Sequence, residues 1–343
     1  MPTFNTIIEK LIAQKDLSEE EAQFSMNEIM EGKFTPVQIA SYLTALRIKG
    51  ESVSEISASA SVMREKAETV SLSGPDNLID TCGTGGDRAS TFNISTAAAL
   101  VVAGAGGKVA KHGNRSVSSS CGSADVLQEL GVNIALTPEQ VGTCIDKVGF
   151  GFLFAPIFHK AMKHAVGPRR ELGIRTVFNL LGPLTNPARA STQVLGVYAP
   201  ELTEVFAEVS GKLGCQRVLA VHGLEGLDEV SPQGATKVSE LRDGLVSTYE
   251  IGPEDFGIKP FPLSELKGGN AGENAGILLD VLHGRPGAAR KAVIMNAACA
   301  FVAAGMADNF EQGANLAAYS IDSRKAIDTL NHLIEYTGRY GQD

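Results

Sequence analysis

Residues 78 to 96 read Leu-Ile-Asp-Thr-Cys-Gly-Thr-Gly-Gly-Asp-Arg-Ala-Ser-Thr-Phe-Asn-Ile-Ser-Thr. A short apolar run enters a turn carrying Gly83, Gly85 and Gly86, then leaves through Asn93, Ser95 and Thr96 into the alanine-rich stretch Ala97 to Val102. That order of residue types folds as strand, glycine loop and helix, and the shape selects an anion. Glycines accept positive φ and let the backbone approach a ligand, so successive N–H groups converge on its oxygens. The first turn of the helix adds unpaired donors and the positive end of its dipole, worth about 0.3–1 kcal/mol per charge at an exposed site. A phosphate or pyrophosphate is the expected occupant. Two commoner glycine motifs fail by residue. The dinucleotide fingerprint needs Gly or Ala where Arg88 stands, and a P-loop read on Gly107-Lys108 lacks its first glycine, at Val102, and its hydroxyl, at Val109.

The net charge of −9 argues against a protein that grips a nucleic-acid backbone, so any phosphate site is local. The five cysteines are odd in number and scattered without a C-x-x-C pair, which suggests neither a disulfide framework nor a zinc knuckle. A soluble protein of the reducing cytoplasm is expected. The amino terminus lacks the apolar run of a signal peptide, and no long apolar stretch marks a membrane span.

Residues 1–72 read as helices alone. Ser18 with Glu21 and Ser52 with Glu55 form capping boxes, Thr35-Pro36 opens a further helix, and Gly32 and Gly50 stand where helices end. After the turn cluster Ser73-Gly74-Pro75-Asp76, the pattern alternates. Strands are expected at 78–80, 108–111, 150–154, 193–198 and 217–222, and helices at 95–104, 123–130, 138–148 and 201–213. The stretch 236–251 reads as a hairpin turning at Asp243-Gly244, and 272–337 as helix apart from a turn at 283–287. Residues 157–190 interrupt the alternation with helical pieces broken by Pro168, Gly173 and Gly182-Pro183, and are expected to join the amino-terminal helices. The fold class is therefore α/β, a largely parallel sheet flanked by helices, with a small all-α domain. The expected division is 1–72 with about 160–190 as the helical domain, and 73–159 with 191–343 as the α/β domain.

Ligands of such sheets bind beyond the carboxyl ends of strands, where four clusters emerge. Lys111, His112, Asn114, Arg115 and the serine run 116–120 bring positive charge and hydroxyls to an acidic chain, which suggests a second anionic group. Asp228 and Glu229 follow a strand and are the best magnesium candidates, since Mg²⁺ takes one or two carboxylates together with substrate phosphates and water. Arg169 and Arg170 follow Gly167-Pro168, and an arginine fork suits a carboxylate. His159 and His164 are spaced wrongly for one helix face, and no covalent-nucleophile motif is present.

Asp80 to Asp87, Asn93 to Thr96, Lys111 to Arg115, Arg175 to Pro187 and Leu227-Asp-Glu229 together resemble the anthranilate phosphoribosyltransferase family of tryptophan biosynthesis. The likeness runs nearly end to end and includes Gly269 to Ala275 and Asn296 to Ala298. The resemblance implies a homodimer that converts phosphoribosyl pyrophosphate and anthranilate to phosphoribosyl anthranilate and pyrophosphate with Mg²⁺. It implies that Gly83, Gly86, Asp87, Thr91, Asn93, Ser95, Thr96, Lys111, Ser119 and Ser123 contact the sugar pyrophosphate. Ser95, Asp228 and Glu229 would hold the metal, and Gly83, Asn114 and Arg169 the anthranilate. No general base is assigned; His112 is a weak candidate for one and reads rather as a loop-shaping residue. Departures are small: Lys160 follows His159, Pro168 stands one place from the family's proline, and Arg324 stands where relatives usually carry glycine. A pyrimidine nucleoside phosphorylase, which shares the fold, and a non-catalytic nucleic-acid-binding relative are the alternatives. The Lys-His-Gly-Asn-Arg loop opposes the first, and the net charge with the intact acidic pair opposes the second.

Overall fold

The structure, a computed structural model, describes residues 2–73, 77–87, 89–116 and 120–341. The centre of the turn cluster, 74–76, lies outside the described residues, as does Ser119.

Four helices come first: α1 (Phe4–Ile12), α2 (Glu19–Met30), α3 (Pro36–Lys49) and α4 (Val53–Lys66). Each opens on a capping box, from Thr3, Ser18, Thr35 and Ser52, which satisfies two otherwise orphaned N–H groups. Each cap contributes about 1 kcal/mol. Apolar residues at helical spacing, among them Leu11, Ile29, Leu43 and Ile56, meet in a common core. Arg64 on α4 anchors this unit to the rest of the chain, its buried guanidinium donating to the carbonyls of Leu184 (2.7 Å) and Leu213 (2.9 Å).

The strands are β1 (Leu78–Gly83), β2 (Lys108–Gly113), β3 (Phe150–Phe154), β4 (Thr192–Gly196), β5 (Arg217–Gly223), β6 (Thr236–Arg242) and β7 (Leu245–Ile251). Among the described residues they form one seven-stranded sheet ordered β3-β2-β1-β4-β5-β6-β7. The first five are parallel, and the expected hairpin extends the sheet antiparallel to β5. Asp243 and Gly244 turn it with φ of 53° and 78°, the positive values that a tight hairpin demands. The order reverses at β1, so the loop leaving β1 opens at the topological switch point where such sheets bind ligands.

The connecting helices are α5 (Ile94–Gly104), α6 (Ser123–Glu129), α7 (Pro138–Val148), α8 (Ala155–Phe158), α9 (Lys163–Leu172), α10 (Phe178–Leu184) and α11 (Leu202–Lys212). Then come α12 (Ala271–Leu282), α13 (Ala288–Ala303), α14 (Phe310–Asp322) and α15 (Lys325–Gly338). Helix α5 is apolar almost throughout and is buried against α13, α14 and α15. Helix α9 packs on α2 and α3, and α10 on α4. Ala165, Phe178, Leu181 and Leu184 thereby enter the core of the first four helices, which continues onto β4, β5 and α11.

Three local expectations change. Pro168 lies inside α9 without ending it, giving up the bond its N–H would make to the His164 carbonyl in the first turn, and the helix stops at Gly173 in the left-handed conformation. The long carboxyl-terminal helical stretch breaks near 304–309 and again at Ser323-Arg324, in addition to 283–287. Strand β4 stops at Gly196, two residues short of Tyr198, because the chain turns there against the segment at 227–229.

Candidate active site

The glycine turn is braced from three sides. Gly83 ends β1 paired with Gly196. Thr84 N donates to the Gly196 carbonyl at 2.9 Å, and the Thr84 hydroxyl accepts Tyr198 N at 3.1 Å. Gly85 N donates to an Asp228 carboxylate oxygen at 2.8 Å. Asp87 closes the turn, accepting Ala89 N at 3.1 Å and Asp228 N at 3.4 Å. Gly196 makes this fit possible, since a β-carbon there would lie 1.6 Å from the Asp228 carbonyl oxygen.

Asp87, Asp228 and Glu229 thus come together at the mouth of the sheet. Burial raises the pKa of Asp228 well above the usual carboxylate range, and its neighbours Asp87 and Glu229 add to the effect. Burial likewise pushes Glu229 up to about 7, with Asp87 adding, while Lys111 and the N–H and hydroxyl of Ser95 pull it down. Crowded oxygen donors with so little compensating charge suit a hard divalent cation. Among the described residues no group of three or more His, Cys, Asp and Glu side chains is gathered to ligate a metal by itself.

Asn93 occupies the N-cap position of α5 without capping it. Its amide bridges other elements instead, donating to the Cys121 carbonyl (3.2 Å) and accepting from Asn274 Nδ2 (3.0 Å). Thr91 pairs as an isolated bridge with Lys267, fixing the strand-like approach to the helix. Ser95 and Thr96 form the first turn, and the buried Thr96 hydroxyl has no partner among the described residues. Lys111 lies buried beneath this turn, donating to the Thr81 carbonyl and, at 3.4 Å, to the Ser95 hydroxyl. Burial lowers its pKa against the opposing pull of Asp80. Its charge therefore reaches the site through Ser95 and Glu229 from below.

Beyond β2, Asn114 is exposed, and its carbonyl accepts Ala124 N (3.2 Å) and the Ser123 hydroxyl (3.4 Å). Arg115 is committed to α6, donating to Asp125 at 2.9 Å and Gln128 at 2.7 Å. His112 is buried with Nδ1 3.1 Å from the Gly182 carbonyl, and burial pushes its pKa down to about 3, which makes it a poor proton acceptor at neutral pH. On α9 the half-buried Arg169 guanidinium lies 4.9 Å from the centre of the Phe178 ring. No acidic side chain pairs with it among the described residues, and Arg170 is exposed.

Two structural residues carry no role in the sequence reading, although both stand in its quoted motifs. Asp80 is fully buried and accepts from Asn186 Nδ2 (2.8 Å), His112 N (3.3 Å) and the Cys82 thiol (3.3 Å), tying β1 and β2 to the chain after α10. Arg175 donates to the Gly86 carbonyl.

Comparison with known proteins agrees with this layout. Residues 75–327 match the description "Glycosyl transferase family, a/b domain", and residues 5–67 match "Glycosyl transferase family, helical bundle domain". The anthranilate phosphoribosyltransferase of Acetivibrio thermocellus is 53% identical over 97% of this chain and 96% of its own. The structure of the enzyme from Thermus thermophilus superposes with a TM-score of 0.91 at 44% identity, covering 97% of this chain and 99% of that one. That of Saccharomyces cerevisiae, in complex with PRPP and Mg, gives 0.91 at 30% identity over 98% of both chains. The chain belongs to the anthranilate phosphoribosyltransferase family.

Proposed function

We propose that this chain transfers the phosphoribosyl group of phosphoribosyl pyrophosphate to the amino nitrogen of anthranilate, releasing pyrophosphate, as a step of tryptophan biosynthesis. The observation that supports this most directly is the meeting, at one sheet mouth, of a glycine turn, a helix N-terminus and three crowded carboxylates. The half-buried arginine of α9, which has no acidic partner among the described residues, supplies the acceptor side. The acceptor named by the relatives carries a carboxylate that Arg169 suits, and the donor carries the phosphates that the turn suits.

In this reading the backbone of Gly83 to Asp87 and the first turn of α5, with Ser123, Ser119 and the field of Lys111, hold the sugar pyrophosphate. Asn114, Gly83 and Arg169 hold anthranilate. Magnesium, held by Ser95, Asp228 and Glu229 together with phosphate oxygens, supplies charge neutralisation for the departing pyrophosphate. The bond from the anomeric carbon to the pyrophosphate oxygen breaks as the amine lone pair forms the new C–N bond, through a transition state of oxocarbenium character. The surplus proton on nitrogen leaves to solvent. An arylamine is neutral near pH 7, so positioning and electrostatic stabilisation supply the rate and no strong base is needed.

The domain division is read as 1–72 with about 160–190, and 73–159 with 191–343. The partner is read as a second copy, on the outer face of α1 and α3. There Ile12 and Ile48, 64% and 71% exposed, line a groove together with Ala40, Ser41 and Thr44, and Val37 of α3 is 75% exposed. A patch of that kind on a single chain marks an interaction surface. We place the protein in the cytoplasm, where its five cysteines, all free, stay reduced. No helix among the described residues is long and apolar enough to cross a membrane.

The test is direct. Anthranilate fluorescence should fall only when protein, magnesium and phosphoribosyl pyrophosphate are all present, with thymidine and phosphate as the parallel control. Turnover of thymidine without loss of anthranilate would replace this reading with the nucleoside phosphorylase one.

A further inference from the structure

Arg175 stands in the link between α9 and α10, a segment whose helices pack on the amino-terminal unit and whose Arg169 is assigned to anthranilate in the function proposed above. Its own side chain reaches the other way. The guanidinium donates to the Gly86 carbonyl and lies over the Tyr198 ring, 4.0 Å from the ring centre. Tyr198 N in turn donates to the Thr84 hydroxyl at 3.1 Å. Arginine, tyrosine and threonine therefore close a circuit around the turn that the function proposed above assigns to the sugar pyrophosphate.

The circuit sets the shape of that turn. Gly86 has φ of 78°, and the place of its absent β-carbon lies 3.0 Å from Arg175 Nη2, so the guanidinium occupies space that a side chain would need. In a planar trans peptide the C=O and the following N–H point in opposite directions. A Gly86 carbonyl held toward Arg175 thus aims the Asp87 N–H away from it. A flat fork that donates and stacks at once is what arginine provides and lysine does not.

We propose that Arg175 is a positioning residue that couples the two halves of the site, an inference that rests on the function proposed above. The glycine turn is held in its anion-binding shape by the segment that carries Arg169. Seating an anthranilate carboxylate on that segment therefore favours pyrophosphate on the turn, and by linkage the reverse holds to the same factor.

The experiment uses the full chain with magnesium pyrophosphate as donor-side probe and anthranilate as acceptor, a pair that cannot react. Calorimetric titration of each ligand with and without the other gives the coupling factor. In the wild type, each ligand is expected to tighten the other at least fivefold. Arg175→Ala should bring that factor close to one while changing the affinity for anthranilate alone less than twofold. Tyr198→Leu should lower it in the same direction without touching the arginine, and Arg175→Lys should restore part of it. Folding of each variant is checked by its thermal midpoint. A coupling factor unchanged in Arg175→Ala and Tyr198→Leu, or absent from the wild type, overturns the inference. A wild type that turns over no anthranilate overturns the functional reading instead.

Discussion

The imidazole rings of His112 and His159 lie 5.1 Å apart, centre to centre, and on both rings Nε2 is buried without a partner among the described residues. Burial pushes His112 down to about 3 and His159 down to about 4, so both are neutral in the folded protein at pH 7. The unfolded chain binds a proton at each below about 6.5. Between there and the folded values, each histidine removes about 1.4 kcal/mol of stability per pH unit as the pH falls. The buried carboxylates Asp80, Asp228 and Glu229, with raised pKa, act with the opposite sign and lose stability as the pH rises. The informative quantity is therefore a difference. Urea unfolding at pH 7, 6 and 5 should give His159→Gln a pH slope below 6.5 that differs from that of the wild type by about 1.4 kcal/mol per unit, in the direction of less acid sensitivity. Equal slopes would mean that His159 titrates normally in the native state.

The histidine pair also marks the limit of what the residue order reveals. Strand β1, the glycine turn and α5 are legible because their signals are local: an apolar run, glycines within four positions, hydroxyls before an alanine run. Helix α7 and strand β3 match their expected bounds because Thr137-Pro138 and Gly149 punctuate them. Arg175 and Asp80 escape because their partners, Gly86 and Asn186, lie 89 and 106 positions away, and no local pattern pairs them. The sequence places Lys111 beside phosphate, but strand alternation does not reveal that it lies buried under the turn, bonded to Thr81 and Ser95. The continuation of α9 through Pro168 depends on packing that buries this residue against the first helices, which overrides a local breaking signal.

The carboxylates make a test of the metal. Asparagine at 228 keeps an oxygen for the Gly85 N–H, which Asp228 accepts at 2.8 Å, while removing one of three crowded charges. The apo form of Asp228→Asn with Glu229→Gln should fold as well as the wild type. Its magnesium titration, run at fixed phosphoribosyl pyrophosphate, should shift at least tenfold, with lower turnover. An unchanged titration would remove both residues from the metal site.

Arg169 should separate the two substrates. A charge-assisted hydrogen bond contributes about 1.5–3 kcal/mol, which corresponds to a loss of roughly ten- to a hundredfold when it is removed. Arg169→Ala should raise KM for anthranilate by that order and leave KM for the sugar pyrophosphate within about twofold. Among the described residues Arg169 makes no side-chain hydrogen bond or ion pair, and its ring contact is with Phe178 at 4.9 Å, so the thermal midpoint should barely move. Equal effects on both substrates would return Arg169 to a structural role.

The outer face of α1 and α3 sets the oligomeric state in the reading above. Ile48, 71% exposed near the carboxyl end of α3 and lining that groove, makes the most economical probe. Light scattering coupled to size exclusion should give the wild type twice the 36.0 kDa chain mass, and Ile48→Glu the mass of one chain with an unaltered circular-dichroism spectrum. A wild type that elutes as a single chain rejects the homodimer outright.

Arg324 holds a strained backbone with no side-chain hydrogen bond or ion pair among the described residues. It precedes α15 with φ of 65°, exposed and without a side-chain cap. The left-handed conformation costs a residue with a β-carbon about 1–2 kcal/mol, and the extra freedom of glycine in the unfolded chain takes back about 0.5–1 of that. Arg324→Gly should therefore raise the unfolding free energy by about 0.5–1 kcal/mol, read as a higher urea midpoint at unchanged slope. Arg324→Ala is the control that isolates the cause. It deletes the same guanidinium but keeps the β-carbon, so it should give no gain, and a gain equal to that of glycine would assign the effect to the arginine's charge instead of its backbone.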